Sequence, residues 1–93
     1  QRHLGKAHNS LQSAKKAVKL LPNNADAYFN LALSLTATGN KTAAISSYES
    51  ALKLNPQHLQ AWNNLGILMR DAGDENGATQ AFEKAQKLQG HHS

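Results

Sequence analysis

The feature that most constrains this chain is an internal repeat with a period of 34 residues. Residues 25–58 and 59–92 align at that spacing without a gap. Nine positions agree in character between the two copies: Tyr28 with Trp62, Leu31 with Leu65, Ala32 with Gly66, Leu35 with Met69, Gly39 with Gly73, Ala44 with Ala78, Tyr48 with Phe82, Ala51 with Ala85 and Leu54 with Leu88. Repeats of such length form arrays in which each unit covers its neighbours. The sequence therefore predicts a stack of similar units.

The spacing of the apolar residues predicts that each unit is helical. Apolar and small residues recur at steps of three and four, which is the period of one helical face. Asn24 and Asn40 are predicted N-caps, Gly39 is a predicted left-handed helix end, and Pro22 and Pro56 close the units that precede them. Five helices are predicted, over about residues 6–21, 24–38, 42–54, 59–72 and 75–89.

The pattern large–x2–Leu–small–x2–large, followed by Ala–x3–aromatic–x2–Ala, resembles the tetratricopeptide repeat. The string at residues 61–66 is similar to the superhelical repeats of O-linked N-acetylglucosamine transferase. The resemblance implies an all-α fold in which antiparallel helix pairs stack as a right-handed α-solenoid of about two and a half repeats. Residues 1–93 would form one array fragment, with the second helix of a partial repeat at 5–24 and full repeats at 25–58 and 59–92. We expect this fragment to belong to a longer array.

The small residues of the pattern predict where helices cross closely. Ala32 and Gly66 are placed where the two helices of a pair meet, since a larger side chain would push the helices apart. Glycine inside a helix costs about 1 kcal/mol relative to alanine, so Gly66 indicates a packing requirement. Tyr48 and Phe82 are predicted to fill the space between successive pairs.

In repeats of this family the first helix of each pair lines a concave surface, which here implies the helices at 24–38 and 59–72. Asn30 and Asn64 occupy the same position in the two copies. A side-chain amide both donates and accepts, so a row of amides can pair with the backbone of an extended peptide. The pair resembles the asparagine ladder of the transferase repeats. The alternative is that the two residues are polar surface positions shared through duplication.

Further contact residues are predicted on the same two helices. Phe29, Leu33 and Ile67 form a candidate exposed apolar patch, although they could instead pack against a neighbouring helix. The remaining predicted peptide-binding residues are Gln60, Asn63 and Arg70. Chaperone-adaptor repeats hold a terminal carboxylate with a clamp of basic residues and asparagines. Only Arg70 adds a cation here, so we do not expect that type of adaptor.

The basic character of the chain is confined to its first quarter. Residues 1–24 contain five basic and no acidic residues, whereas residues 25–93 contain five basic and six acidic residues, which gives charges of +5 and −1. A basic helix can bind acidic partners or nucleic acid, but it is more often a solvated outer face. Because no aromatic residues alternate with the lysines, the sequence supports nucleic acid as a partner less than it supports a protein.

No pattern in the sequence predicts catalysis. The chain has no cysteine, and its five histidines show no metal-ligand spacing. We find no phosphate-binding loop or activated nucleophile. We therefore expect no cofactor, no metal site and no enzymatic activity, although a parent protein could be an enzyme that uses this segment for recognition. No apolar run is long enough to cross a membrane, so we expect a soluble chain and favour the cytoplasm.

These observations predict a protein–protein interaction scaffold that binds an extended peptide or partner segment on its concave face. A first alternative is self-assembly through unfinished repeat ends, where Leu11, Val18 and Phe82 would be exposed. A second alternative is a nucleic-acid-binding helical repeat.

Overall fold

The structure, a computed structural model, describes the backbone of residues 2–90 and the side chains of residues 10–90. Five helices account for most of it: α1 is Arg2–Leu20, α2 is Ala25–Ala37, α3 is Lys41–Leu54, α4 is Leu59–Asp71 and α5 is Glu75–Gly90. No strand occurs among these residues, and the predicted all-α class is confirmed. Helix α1 begins earlier than predicted.

The helices follow one another as an antiparallel stack. Each link between them is a short turn, and such turns reverse the chain direction. Helix α2 packs extensively on α3, and α4 packs on α5; α1 and α3 join these pairs by packing on α2 and α4. The overall extents of 42 × 29 × 19 Å are those of a short stack and not of a sphere.

The helix ends show which predicted caps were right. Asn24 Oδ1 accepts a hydrogen bond from the Ala27 N–H at 3.1 Å, and Gly39 has a φ of +88°, as predicted for a left-handed helix end. The predicted side-chain cap by Asn40 is wrong, since Asn40 makes no such hydrogen bond. Its ψ of 75° departs from the extended backbone (ψ 114°) of Asn24.

The core runs along the whole stack and is built around small side chains. Four alanines are 0% exposed, and they are Ala32, Ala44, Ala51 and Ala61. Larger residues fill the space around them, chiefly Leu11, Leu35, Tyr48, Leu52, Leu65 and Leu68. Buried alanines let helix axes approach closely, which is how a stack of short helices reaches native packing density.

Several residues differ from their predicted environment. Serine is usually an exposed residue, but Ser47 is only 8% exposed because it lies on the same helical face as Ala44 and Ala51. The first helix was predicted to extend to residue 21, but it ends at Leu20 and Leu21 is 52% exposed. Leu11 is buried and so does not form an exposed terminal surface.

The close crossing predicted at Gly66 is present in the structure. A Cβ atom added to this glycine would lie 2.8 Å from Cε1 of Phe82, which is closer than side-chain carbons approach. Phe82 therefore packs on α4 within its own pair. The Phe82 ring of α5 occupies the space that a side chain at Gly66 of α4 would otherwise fill.

Candidate partner-binding groove

A shallow groove lies between α2 and α4, the two helices predicted to line the concave surface. Its volume is about 200 Å³, and it is lined by Leu33, Thr36, Tyr48, Asn64, Ile67, Leu68 and Asp71. Leu33 and Ile67 occupy the same position in the two repeats and are 41% and 43% exposed. The structure thus brings together three of the predicted binding residues, Leu33, Asn64 and Ile67, around one depression. We call it the α2–α4 groove.

Asn64 is held in this groove by a buried tyrosine. The Tyr48 hydroxyl forms side-chain hydrogen bonds with Asn64 and Thr36, and burial raises the pKa of Tyr48 above its ordinary value despite these bonds. The Thr36 hydroxyl also donates to the Ala32 carbonyl oxygen at 2.8 Å. The bond from Asn64 lowers the pKa of the phenol, which is the effect of an amide N–H that donates to the phenolic oxygen. The carbonyl oxygen and second amide proton of Asn64 remain outside this contact.

Asn30, the equivalent asparagine, lies in a different environment. It is exposed and borders a wider depression of about 560 Å³, which we call the α1–α2 depression. Its lining residues are Ser10, Ser13, Ala14, Ala17, Asn30, Leu33 and Ser34. Ala14 stands at the position that Tyr48 occupies one repeat later, and it has no hydroxyl group to offer Asn30. The two asparagines share a sequence position but not a set of contacts.

Phe29 is not the exposed aromatic residue that the sequence suggested. It is half-buried, with its ring edge-on to Tyr48 at a centroid distance of 5.8 Å and stacked on the His58 ring at 4.6 Å. The alternative prediction, that Phe29 packs against a neighbouring helix, is therefore correct for this residue. The apolar surface of the α2–α4 groove is therefore supplied by Leu33 and Ile67.

His58 has a structural role that sequence reasoning missed. Its Nδ1 accepts a hydrogen bond from the Ala61 N–H at 3.2 Å, and its Nε2 lies 3.5 Å from Asp26 Oδ1. Because Nδ1 accepts, Nε2 is the donor nitrogen of the ring, and it faces the carboxylate. His58 thus caps α4 and joins it to the first turn of α2. Its alignment with the predicted N-cap Asn24 was the signal that could have identified this role.

The remaining predicted binding residues lie outside the lining of the α2–α4 groove. Gln60 is exposed and Asn63 is half-buried. The Arg70 guanidinium lies 5.9 Å from the centroid of the Phe82 ring, a cation–π distance. Arg70 therefore covers the aromatic residue of α5 and does not join Asn64.

A further depression, of about 360 Å³, lies where α3 and α5 flank α4. Its apolar lining includes Leu52, Trp62, Leu65, Met69 and Ala81. The Trp62 indole N–H donates to the Pro56 carbonyl oxygen at 2.7 Å, which fixes the ring at its rim. Trp62, Leu65 and Met69 all belong to the repeat pattern, and nothing in that pattern predicts that they border a surface depression.

Two features of the described part of the chain bear on other kinds of function. The side chains of residues 10–90 include no group of three or more histidines, aspartates or glutamates placed to hold a metal ion. In the same residues, no helix is both long and apolar enough to cross a membrane.

The stack of helix pairs and its groove define the class of helical-repeat interaction scaffolds. Family models described as tetratricopeptide repeat match residues 25–58 and residues 47–80, and together they cover more than half of the 93 residues. The chain belongs to the tetratricopeptide repeat family. Proteins of this family are modules for protein–protein interaction, and we assign the chain to that general function.

The solved structures that resemble this chain include several of MamA. One MamA crystal structure has a TM-score of 0.85 and 29% identity over 88% of this chain. MamA from residue 41 to its end, from Desulfovibrio magneticus RS-1, has a TM-score of 0.87 and 23% identity over 90% of this chain. The chain spans 48% of each of these two structures. A comparison with curated proteins finds no match. The similarity at 23% identity shows the fold alone.

Proposed function

We propose that the α2–α4 groove binds an extended segment of a partner protein, and that this array is the recognition part of a longer polypeptide. The observation that carries the proposal is the pair Leu33 and Ile67. Large apolar side chains that are more than 40% exposed at equivalent positions of two repeats have no role in the core. Exposed apolar residues grouped on one concave surface are typical of contact sites.

The polar groups between these residues suit a peptide backbone. Asn64 keeps a carbonyl oxygen and an amide proton that Tyr48 does not use, and these can pair with a peptide N–H and C=O. Because the phenol holds the amide in place, less side-chain entropy is lost when a peptide binds. Leu33 and Ile67 would contact side chains of the peptide and provide most of the apolar burial.

We expect the affinity of this fragment to be low. The groove spans only two repeats, and the area it can bury is well below that of a standard protein–protein interface. A longer array would add similar contacts along the same peptide. Selection from a library of extended peptides, followed by measurement of the dissociation constant by titration, is therefore the appropriate first experiment.

The structure offers a matched pair of variants for testing the site. Ile67→Gln should weaken the selected peptide by about tenfold, which corresponds to about 1.4 kcal/mol. Leu54→Gln removes a leucine that is 41% exposed but does not line the groove, so it should leave the affinity unchanged. Equal affinities for Ile67→Gln and the unaltered chain would show that the peptide binds elsewhere.

Self-association is a second candidate function. Leu20 and Leu21 are 80% and 52% exposed at the end of α1, and together they form an apolar surface outside the groove. Contact between these residues in two chains would join molecules through their ends. Sedimentation of the Leu20→Gln variant beside the unaltered chain separates this from peptide binding, since only self-association should decrease.

A further inference from the structure

We propose that the α2–α4 groove selects a basic segment: the extended peptide that it binds carries a lysine or arginine beside its apolar side chains, and Asp71 contacts that cation. The inference rests on the proposed function, since it names the chemistry of the segment that the same groove binds. Its basis is the set of charged residues on the two helices that form the groove.

Helices α2 and α4 contain three charged residues, and two of these have partners. Asp26 on α2 faces the His58 ring at 3.5 Å, and the Arg70 guanidinium on α4 lies over the Phe82 ring. Asp71 is the third. Its carboxylate forms no ion pair and no side-chain hydrogen bond within the part of the chain that the structure describes. The one uncommitted charge on these two helices is therefore negative.

Asp71 lines the groove on the same side of α4 as Ile67. The two residues are one helical turn apart, about 6 Å along the helix axis, and Leu33 borders the same depression from α2. No other residue of this lining carries a charge. Because helices of both repeats flank the groove, further repeats at either end would leave it open.

The position of Asp71 does not favour stability. Asp71 is the last residue of α4, where the partial negative charge of the helix end disfavours a carboxylate. The equivalent last residue of α2 is Ala37, so the repeat pattern does not require an acid there. A residue that binds a partner can be kept at such a cost to stability. We therefore assign the carboxylate to binding.

These features define the chemistry of the bound segment. Leu33 and Ile67 suit apolar side chains, and Asn64 suits the peptide backbone. A lysine or arginine two residues from an apolar residue lies on the same side of an extended chain, about 7 Å away. That separation matches the helical turn between Ile67 and Asp71. The carboxylate would attract the cation, whereas an acidic residue at the same place would be repelled.

The experiment uses three synthetic peptides that differ at one position. Each has blocked ends and the sequence Ser-Leu-Ser-Leu-Ser-X-Ser, where X is lysine, glutamine or glutamate. Each is titrated at low ionic strength into the isotope-labelled chain, and the backbone amide signals of Leu33, Asn64 and Ile67 are recorded by NMR. We expect the lysine peptide to bind about threefold more tightly than the glutamine peptide, and the glutamate peptide about threefold more weakly, as for an exposed ion pair.

A charge reversal with a matched control tests the location. Asp71→Lys should invert the order of the three peptides. Glu49→Lys changes the charge by the same amount at an exposed position outside the lining of the groove, and it should preserve the order. Asp71→Asn should make the lysine and glutamate peptides bind about equally. It should not lower the midpoint of thermal unfolding, since the helix end disfavours the carboxylate.

Three results would overturn this inference while the proposed function stands. They are equal affinities of the lysine and glutamate peptides, an unchanged order of peptides after Asp71→Lys, and a lower unfolding midpoint for Asp71→Asn, which would assign the carboxylate to the fold. The glutamine peptide tests the proposed function separately, because it should bind the Ile67→Gln variant about tenfold more weakly. If Ile67→Gln leaves that affinity unchanged, the proposed function fails. Absence of shifts with all three peptides at about 10 mM would overturn both.

Discussion

The α1–α2 depression and the α2–α4 groove are equivalent places in the repeat, yet their surfaces differ. Asn30, Leu33 and Ser34 in the first correspond to Asn64, Ile67 and Leu68 in the second. The main chemical difference is Ala14 in place of Tyr48. Where the tyrosine is present, it is buried and bonds to the asparagine; where it is absent, the asparagine is exposed.

The comparison shows that repeat symmetry fixes where side chains lie more strictly than what they contact. Asparagines one period apart need not form a uniform ladder, since one amide is held by a phenol and the other is exposed. Each repeat can therefore recognise a different chemical group while the backbone geometry stays constant. What a side chain in the groove contacts therefore depends on the residue that faces it from the preceding helix.

The largest effect should come from Tyr48→Ala, which gives the α2–α4 groove the alanine found in the α1–α2 depression. Tyr48 is only 2% exposed, so Tyr48→Ala removes a buried ring and should lower the free energy of unfolding by about 3–5 kcal/mol. Tyr48→Phe keeps the ring and loses only the hydroxyl, and it should cost about 0.5–1.5 kcal/mol. Urea unfolding followed by circular dichroism gives both values. A Tyr48→Ala loss no larger than that of Tyr48→Phe would show that the ring itself contributes little.

A second prediction compares the two helix crossings, which carry Ala32 and Gly66 at equivalent positions. Gly66→Leu should lower the free energy of unfolding by about 1–3 kcal/mol, because the added atoms overlap the Phe82 ring. Gly66→Ala copies the first crossing and should cost less, since one methyl group displaces the ring only slightly. Thermal unfolding of both variants measures the difference. If Gly66→Leu melts like the unaltered chain, the contact with Phe82 is not tight.

The sequence was sufficient for features that depend on one repeat at a time. The 34-residue period, the helix end at Gly39 and the crossing at Gly66 all follow from local spacing and from what glycine permits. The bond between Tyr48 and Asn64 joins different repeats, and nothing in their spacing predicts it. The same holds for Phe29, whose ring stacks on His58, the residue that caps the first helix of the next repeat.

The surroundings of the candidate binding residues were predicted in part for the same reason. Helical periodicity correctly predicted that Leu33 and Ile67 lie outside the core, because each is on the exposed side of its helix. It could not show that Arg70 would lie over Phe82, since that contact depends on the relative orientation of two helices. Periodicity identifies the face of a helix, whereas the partner across that face is set by packing.

The smallest effect concerns the two asparagines, which sequence reasoning treated as equivalent. Asn64→Ala removes a hydrogen bond to a buried phenol and should lower the free energy of unfolding by about 0.5–1.5 kcal/mol. Asn30→Ala changes an exposed side chain and should alter it by less than about 0.5 kcal/mol. The Tyr48→Phe background provides the control: without the hydroxyl, Asn64→Ala should have little further effect, as a double-mutant cycle would measure. The double variant Asn30→Ala with Asn64→Ala should also lower the affinity for an extended peptide that pairs with the two amides. Equal stability of the two single variants would mean that the phenol does not hold Asn64.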